Sequence, residues 1–178
     1  FFGKYISIVL LSWLYFDKWM YPDFLSNKFP QKIFPKNKIP KDEDDQNEFK
    51  SSHHTPIGDG SKFKNNQEGL ANISNKLKME VALTISALAN KKGGRLFIGV
   101  NDDGNPIGLD GDLKKFNGNF DSYRRHVIDG LSKFFPNDKP FLTSINWHIG
   151  EDKKFLVAEV GSGIKPIYLT FKSEKRLY

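Results

Sequence analysis

Residues 85–104 read ISALANKKGGRLFIGVNDDG, and the successive changes of pattern within them decide the fold. The stretch opens in the tail of a longer apolar repeat. Leu70, Ile73, Leu77, Val81, Thr84 and Leu88 recur at three and four residues, the spacing that predicts an amphipathic helix. Asn90 and the Gly93–Gly94 pair end it, because glycine supplies the left-handed residue after a helix without steric cost. The short amide of Asn90 is expected to tie that turn to the helix before it. Arg95–Val100 (RLFIGV) is then too apolar for a half-exposed strand and is expected to be central, with Gly99 leaving room for another backbone to approach. Asn101–Gly104 (NDDG) closes it as a turn.

Outward from that unit, Phe120–Phe135 carries Tyr123, Val127, Leu131 and Phe134 on one face and stops before Pro136, which predicts a second helix. Phe141–Ile149 and Lys153–Val160 alternate across Gly150–Glu151–Asp152 as a hairpin would. Ile167–Phe171 and Lys175–Tyr178 suggest another. Upstream, Asn47–Ser52 reads as a short strand, and His53–Gln67 is an aperiodic loop. The sum is an α+β domain over residues 42–178, a small mixed sheet with two helices. A chain running from Phe1 to a strand pattern at Tyr178 is expected to be a piece of something longer, its domain cut short at the C-terminus.

Residues 1–22 are of another kind. Tyr5–Phe16 (YISIVLLSWLYF) holds no charge, and Trp13, Tyr15, Trp19 and Tyr21 gather at its far end, as an interfacial aromatic belt would. A spanning helix needs about 20 apolar residues, so the run reaches that length only from Phe1 with Lys4 snorkelling. A possible membrane anchor is the expectation, against a buried core helix or an amphipathic helix on a partner or membrane surface. Lys18, Lys28, Lys32, Lys36, Lys38 and Lys41 follow it, which would put the domain on the cytoplasmic face of the membrane. Pro22 closes that segment, and Pro30, Pro35 and Pro40 punctuate residues 23–41, expected to be an extended Pro/Lys-rich linker.

The absence of cysteine excludes disulfides, thiolate metal sites and cysteine nucleophiles. A net charge of +6 favours an anionic partner such as nucleic acid or an acidic membrane face, and on charge alone it reads equally well as an ordinary lysine-rich surface. No phosphate-cradling P-loop is present, since Gly58–Asp59–Gly60–Ser61 lacks both the length and the lysine; no nucleotide cofactor is expected. The adjacent His53 and His54 would point opposite ways on an extended chain, so a solvated loop is expected there rather than a metal pair. The run Asp42, Glu43, Asp44, Asp45, with Glu48 beyond it, reads on charge alone as a solvated segment. Asp102, at the end of the central strand, gives it a second reading. Carboxylates converging there would repel one another unless Mg²⁺ or Mn²⁺ neutralised them.

At these residues the chain resembles the Schlafen/AlbA-type domain. Glu48–Phe49–Lys50–Ser51–Ser52 is similar to its EFK strand, Ile85–Gly94 to its helix-ending segment, Leu96–Gly104 with Pro106–Leu109 to its central strand and turn, and Lys165–Leu169 to a later segment. The resemblance implies a nucleic-acid-handling fold. From animal Schlafen ribonucleases, which cleave transfer and ribosomal RNA with a divalent metal, it implies Glu43, Glu48 and Asp102 as metal ligands and Lys50 beside them as the cation stabilising the scissile phosphate. Lys62, Lys64, Arg124, Arg125 and Lys133 would contact phosphates, though Arg124 and Arg125 also read as the wet face of a helix. Those relatives pair two lobes, so a single copy implies a homodimer or higher oligomer. The activity so implied is a membrane-anchored endoribonuclease, RNA rather than DNA its substrate, serving as a toxin or phage-defence effector. Bacterial relatives, described as DNA-binding modules, imply a non-catalytic binding or sensory module instead. An assembly domain without nucleic acid is the third reading.

Overall fold

The structure is a computed structural model that describes residues 32–53, 67–171 and 174–178. The expected hydrophobic helix over residues 1–22, the first part of the linker, and Lys62 and Lys64 lie outside the described residues. Among the described residues no helix is long and apolar enough to cross a membrane.

Five strands form one mixed sheet: β1 (Ile33–Phe34), β2 (Asn47–Lys50), β3 (Gly94–Ile98), β4 (Asn146–Gly150) and β5 (Leu156–Val160), in the order β1-β4-β5-β3-β2. β2 runs parallel to β3, and β1 parallel to β4; β3–β5 and β4–β5 are antiparallel. The apolar strand β3 is interior, as its composition requires. A separate antiparallel hairpin joins β6 (Tyr168–Phe171) to β7 (Glu174–Leu177). The α+β expectation holds, with four α-helices among the described residues: α1 (Gln67–Asn90), α2 (Asp110–Lys114), α3 (Phe120–Ser132) and α4 (Lys139–Ser144).

Two of those helices correct the reading of two. α2 is a single short helix with no visible period. α4 occupies the first half of the strand expected from Phe141, because Pro140 suits the first turn of a helix and Leu142 and Ile145, three apart, are both buried. The alternation of Phe141, Thr143 and Ile145 was coincidence. From Lys32 the chain is part of the compact unit: Phe34 is buried, and its ring lies edge-on to Phe97 at 5.5 Å and Phe155 at 6.4 Å. Phe34 in that cluster and the pairing of Ile33–Phe34 with Ile149–Gly150 make this segment an edge strand.

Side chains alternate across the sheet. Leu96, Ile98, Leu156, Ala158 and Val160 pack with Val81, Ile85, Leu88, Tyr123, Val127 and Leu131 in the larger core beneath the helices. Phe49, Phe97, Val100, Phe155 and Val157 form a smaller core on the opposite face with Phe34. Two glycines set the approach of chain to chain. A Cβ on Gly94 would strike the carbonyl of Gln46, and one on Gly99 (φ +93) would lie 2.8 Å from both the Leu109 side chain and the Lys154 carbonyl. Gly99 thereby admits the 107–109 turn, whose Ile107 amide donates to its carbonyl at 2.9 Å.

Candidate nucleic-acid interface

The edge strand β2 carries the first candidate residues. An edge strand leaves alternate amides unpaired, and the Glu43 carboxylate accepts one of them, the Phe49 N–H, at 2.7 Å. The acidic run before it is divided by tasks. Asp44 folds back to accept from the Gln46 amide at 2.7 Å and the Asn47 side chain at 2.9 and 3.0 Å. Those bonds, the Gln46 amide first, hold its carboxyl below the usual range. Asp45 pairs with Lys91 at 3.2 Å. The run is exposed throughout, as its charge suggests, while Glu43, Asp44 and Asp45 each also hold a protein donor.

Glu48 is bonded to the Lys50 ammonium, which also donates to the Phe49 carbonyl. Asp102 stands exposed in the Asn101–Gly104 turn, which is shaped by the Asn101 side chain accepting from the Asn105 amide at 2.8 Å. That turn packs against Pro40 and Lys41, just upstream of Glu43. The fold thus brings the Asp102 turn and the Glu43 segment to one side of the sheet. It does not make a metal group of them: among the described residues no three His, Asp or Glu side chains are gathered as a cation would need. Glu43 and Glu48 each accept a protein donor through one carboxylate oxygen, and Lys50 is the donor to Glu48.

The expected phosphate contacts separate in the same way. Arg125 is exposed, with Nε reaching the Asp121 carbonyl at 3.4 Å. Arg124 is mostly buried and lies 3.7 Å from the Asp121 carboxylate, so only one of the pair is on a wet face. Lys133 is exposed at the end of α3.

Sequence reasoning missed what lies just past β2. His53, placed in a solvated loop by its neighbours, is fully buried, its ring 6.3 Å from Tyr123 and 6.2 Å from His126. The buried carboxylate of Asp112 holds it there, accepting from the Ser52 hydroxyl at 2.9 Å, the His53 amide at 3.0 Å and the Tyr123 hydroxyl at 2.9 Å. On the other sheet face, Glu159 sits between His148 (2.8 Å) and Arg95 (3.2 Å). Burial pushes its carboxyl up, but His148 and then Arg95 outweigh that and leave it below the usual range. Beside it a cleft of about 330 Å³ is lined by Gln46, Asn47, Gly94, Arg95 and Glu159. The opposed charges at 95 and 159, in strands otherwise apolar, were the available sign of that network.

The later segment completes the picture. Asn90 does not tie its own turn; the Gly93 amide does that by donating to Leu88 at 2.9 Å. Its amide reaches Ile167 instead, accepting from that residue's N–H at 2.8 Å and donating to its carbonyl at 2.9 Å. Two of the quoted segments, ISALAN and KPIYL, are therefore halves of one contact. The sequence profile described as Schlafen, AlbA_2 matches residues 43–178. The chain belongs to that family. No curated protein matches it. The crystal structure of the DIP2311 protein from Corynebacterium diphtheriae aligns with 75% of this chain at 14% identity and a TM-score of 0.42. This Schlafen AlbA_2 chain spans 22% of that protein's crystallised chain.

Proposed function

We propose that this chain is a nucleic-acid-binding module that grips its ligand through backbone phosphates. Membership of the Schlafen AlbA_2 family carries the reading, and a net charge of +6 supports it. The ribonuclease alternative asks for a three-carboxylate metal site. Glu43 serves as a cap on the edge strand and Glu48 as the partner of Lys50, so no cleavage step is derived through them. Membrane attachment would depend on residues 1–22, and phosphate binding does not require it.

The test is incubation of the full chain with transfer RNA and with duplex DNA, each with Mn²⁺ and with chelator. Binding is expected to be indifferent to chelator and to weaken steeply with salt, about a hundredfold or more between 50 and 200 mM for a contact with several phosphates. The nucleic acid should be recovered uncut. Manganese-dependent cleavage that Asp102→Ala abolishes, with binding kept, would establish the ribonuclease reading instead. Binding that ignores salt would remove both.

A further inference from the structure

Separate elements of the helical layer bring cations to one place. Lys78 is half-buried on α1. Lys115 follows α2 in a tight turn, where the Phe116 and Gly118 amides both donate to the Leu113 carbonyl at 2.8 and 3.1 Å. Lys133 ends α3, and His126 lies seven residues before it, two turns back on the same side. The His126 ring is fixed by aromatic neighbours, Phe116 at 5.1 Å and the buried His53 at 6.2 Å.

The Phe116–His126 contact sets the turn that bears Lys115 against the helix whose end carries Lys133. Burial first, then Lys133 and Lys115, hold the Lys78 ammonium below its usual range, with Asp112 acting the other way. Burial and then Lys78 do the same to His126, Lys133 and Lys115 adding to it and Asp129 opposing. Among the described residues neither Lys78 nor Lys133 is in an ion pair. Like charges gathered this way raise the free energy of the empty protein. An anion that meets them together relieves that repulsion on binding. Compact ammonium groups from different elements suit a run of phosphates better than a single carboxylate.

We propose that Lys78, Lys115, Lys133 and His126 form a cradle for the phosphodiester backbone of a bound nucleic acid. The inference rests on the nucleic-acid reading above and adds where the backbone lies. The edge strand leads straight to it, since His53, three residues beyond Lys50, packs on His126. It names Lys78, Lys115 and His126, which charge counting along the sequence did not single out.

Labelled transfer RNA titrated into the full chain at several salt concentrations tests it. Lys115→Gln/Lys133→Gln, both at exposed positions, is compared with Lys36→Gln/Lys38→Gln, a control that removes the same charge from the exposed turn after β1. The cradle variant is expected to lose about tenfold in affinity per lysine near 0.1 M salt, with the salt slope falling by about two. The control should change affinity by about twofold or less. Imidazole NMR of His126 supplies a second readout, local to the site. In the wild type, RNA should raise the His126 titration midpoint. In the cradle variant the free protein's midpoint should already be higher, and RNA should no longer shift it. Equal losses in both double variants, or a His126 titration unmoved by RNA, would overturn the cradle. Salt-dependent binding that the cradle variant retains in full removes the cradle alone, whereas a wild type that fails to bind removes the nucleic-acid reading with it.

Discussion

Replacing Asp112 with alanine is expected to lower stability by about 3–5 kcal/mol, because it strands several buried donors at once. The carboxylate is 2% exposed and accepts from Ser52, His53 and Tyr123. These donors come from the chain just past β2 and from α3, while Asp112 itself is on α2. One side chain therefore joins three parts of the fold. Removing it takes this acceptor from a hydroxyl, a phenol and a backbone amide at buried residues. Asp112→Asn keeps one acceptor oxygen but turns an NH₂ toward a donor, so it should cost less than alanine, about 1–3 kcal/mol. Urea denaturation read by tryptophan fluorescence would measure both. An alanine variant within about 1 kcal/mol of wild type, where ordinary surface changes fall, would show that water replaces the carboxylate and that the hub has no structural weight.

The same hub sets a pH dependence with a definite sign. Burial first, and then the charge and hydrogen bond of Asp112, raise the Tyr123 phenol well above its ordinary value of 10.0. In the unfolded chain the phenol ionises near pH 10, while in the folded chain it keeps its proton. The unfolded state thus binds fewer protons above that pH, and stability falls as pH rises further. Below pH 10 the contribution is complete. In Asp112→Ala the decline should begin at the same pH and end sooner, since two of the causes that hold the proton in place are gone.

What could be read along the chain, and what could not, follows from the range of the forces involved. Leu70 through Leu88 and Arg95 through Val100 declare themselves because burial of a helix stripe or an inner strand repeats with a fixed local period. The hub does not. Asp112 sits in DGDLK, which looks like exposed helix, and its donors Ser52 and His53 are 60 and 59 residues away. Nothing periodic marks a hydrogen bond between such distant positions. Glu43 and Glu48 show a subtler loss. Their spacing was legible and matches the family, yet spacing carries no orientation. On the folded chain one carboxylate turns to an edge amide and the other to Lys50. Of the cradle only Lys133 was named along the chain, as a phosphate contact, whereas Lys78, Lys115 and His126 join it only when α1 and the turn after α2 are packed on α3.

Asn90 shows the same limit from the other side, and its replacement is the second large effect. Asn90→Ala should cost about 2–4 kcal/mol, since it unpairs the N–H of a buried residue and takes one of two donors from its carbonyl. Ile167 is 2% exposed, and its N–H has the Asn90 oxygen as its acceptor at 2.8 Å. Its carbonyl would retain only the Ser86 hydroxyl at 3.1 Å. The Asn90 amide also donates to the Tyr178 carbonyl at 2.8 Å, so the clamp holds both the entry to β6 and the far end of β7 on the end of α1. Asn90→Asp separates the two halves of the clamp. It can still accept from Ile167, but it has no donor for either carbonyl and sets a negative charge against them. It should therefore be no better tolerated than alanine. Because the hairpin pairs with itself and not with the main sheet, the loss should be local before it is global. Hydrogen exchange is expected to quicken over residues 163–178 in both variants, while the β3 amides stay protected. Uniform quickening across β3 and the hairpin would mean that the segment is part of one cooperative unit with the sheet. An unchanged exchange pattern would remove the clamp as the reason why ALAN and KPIYL occur together.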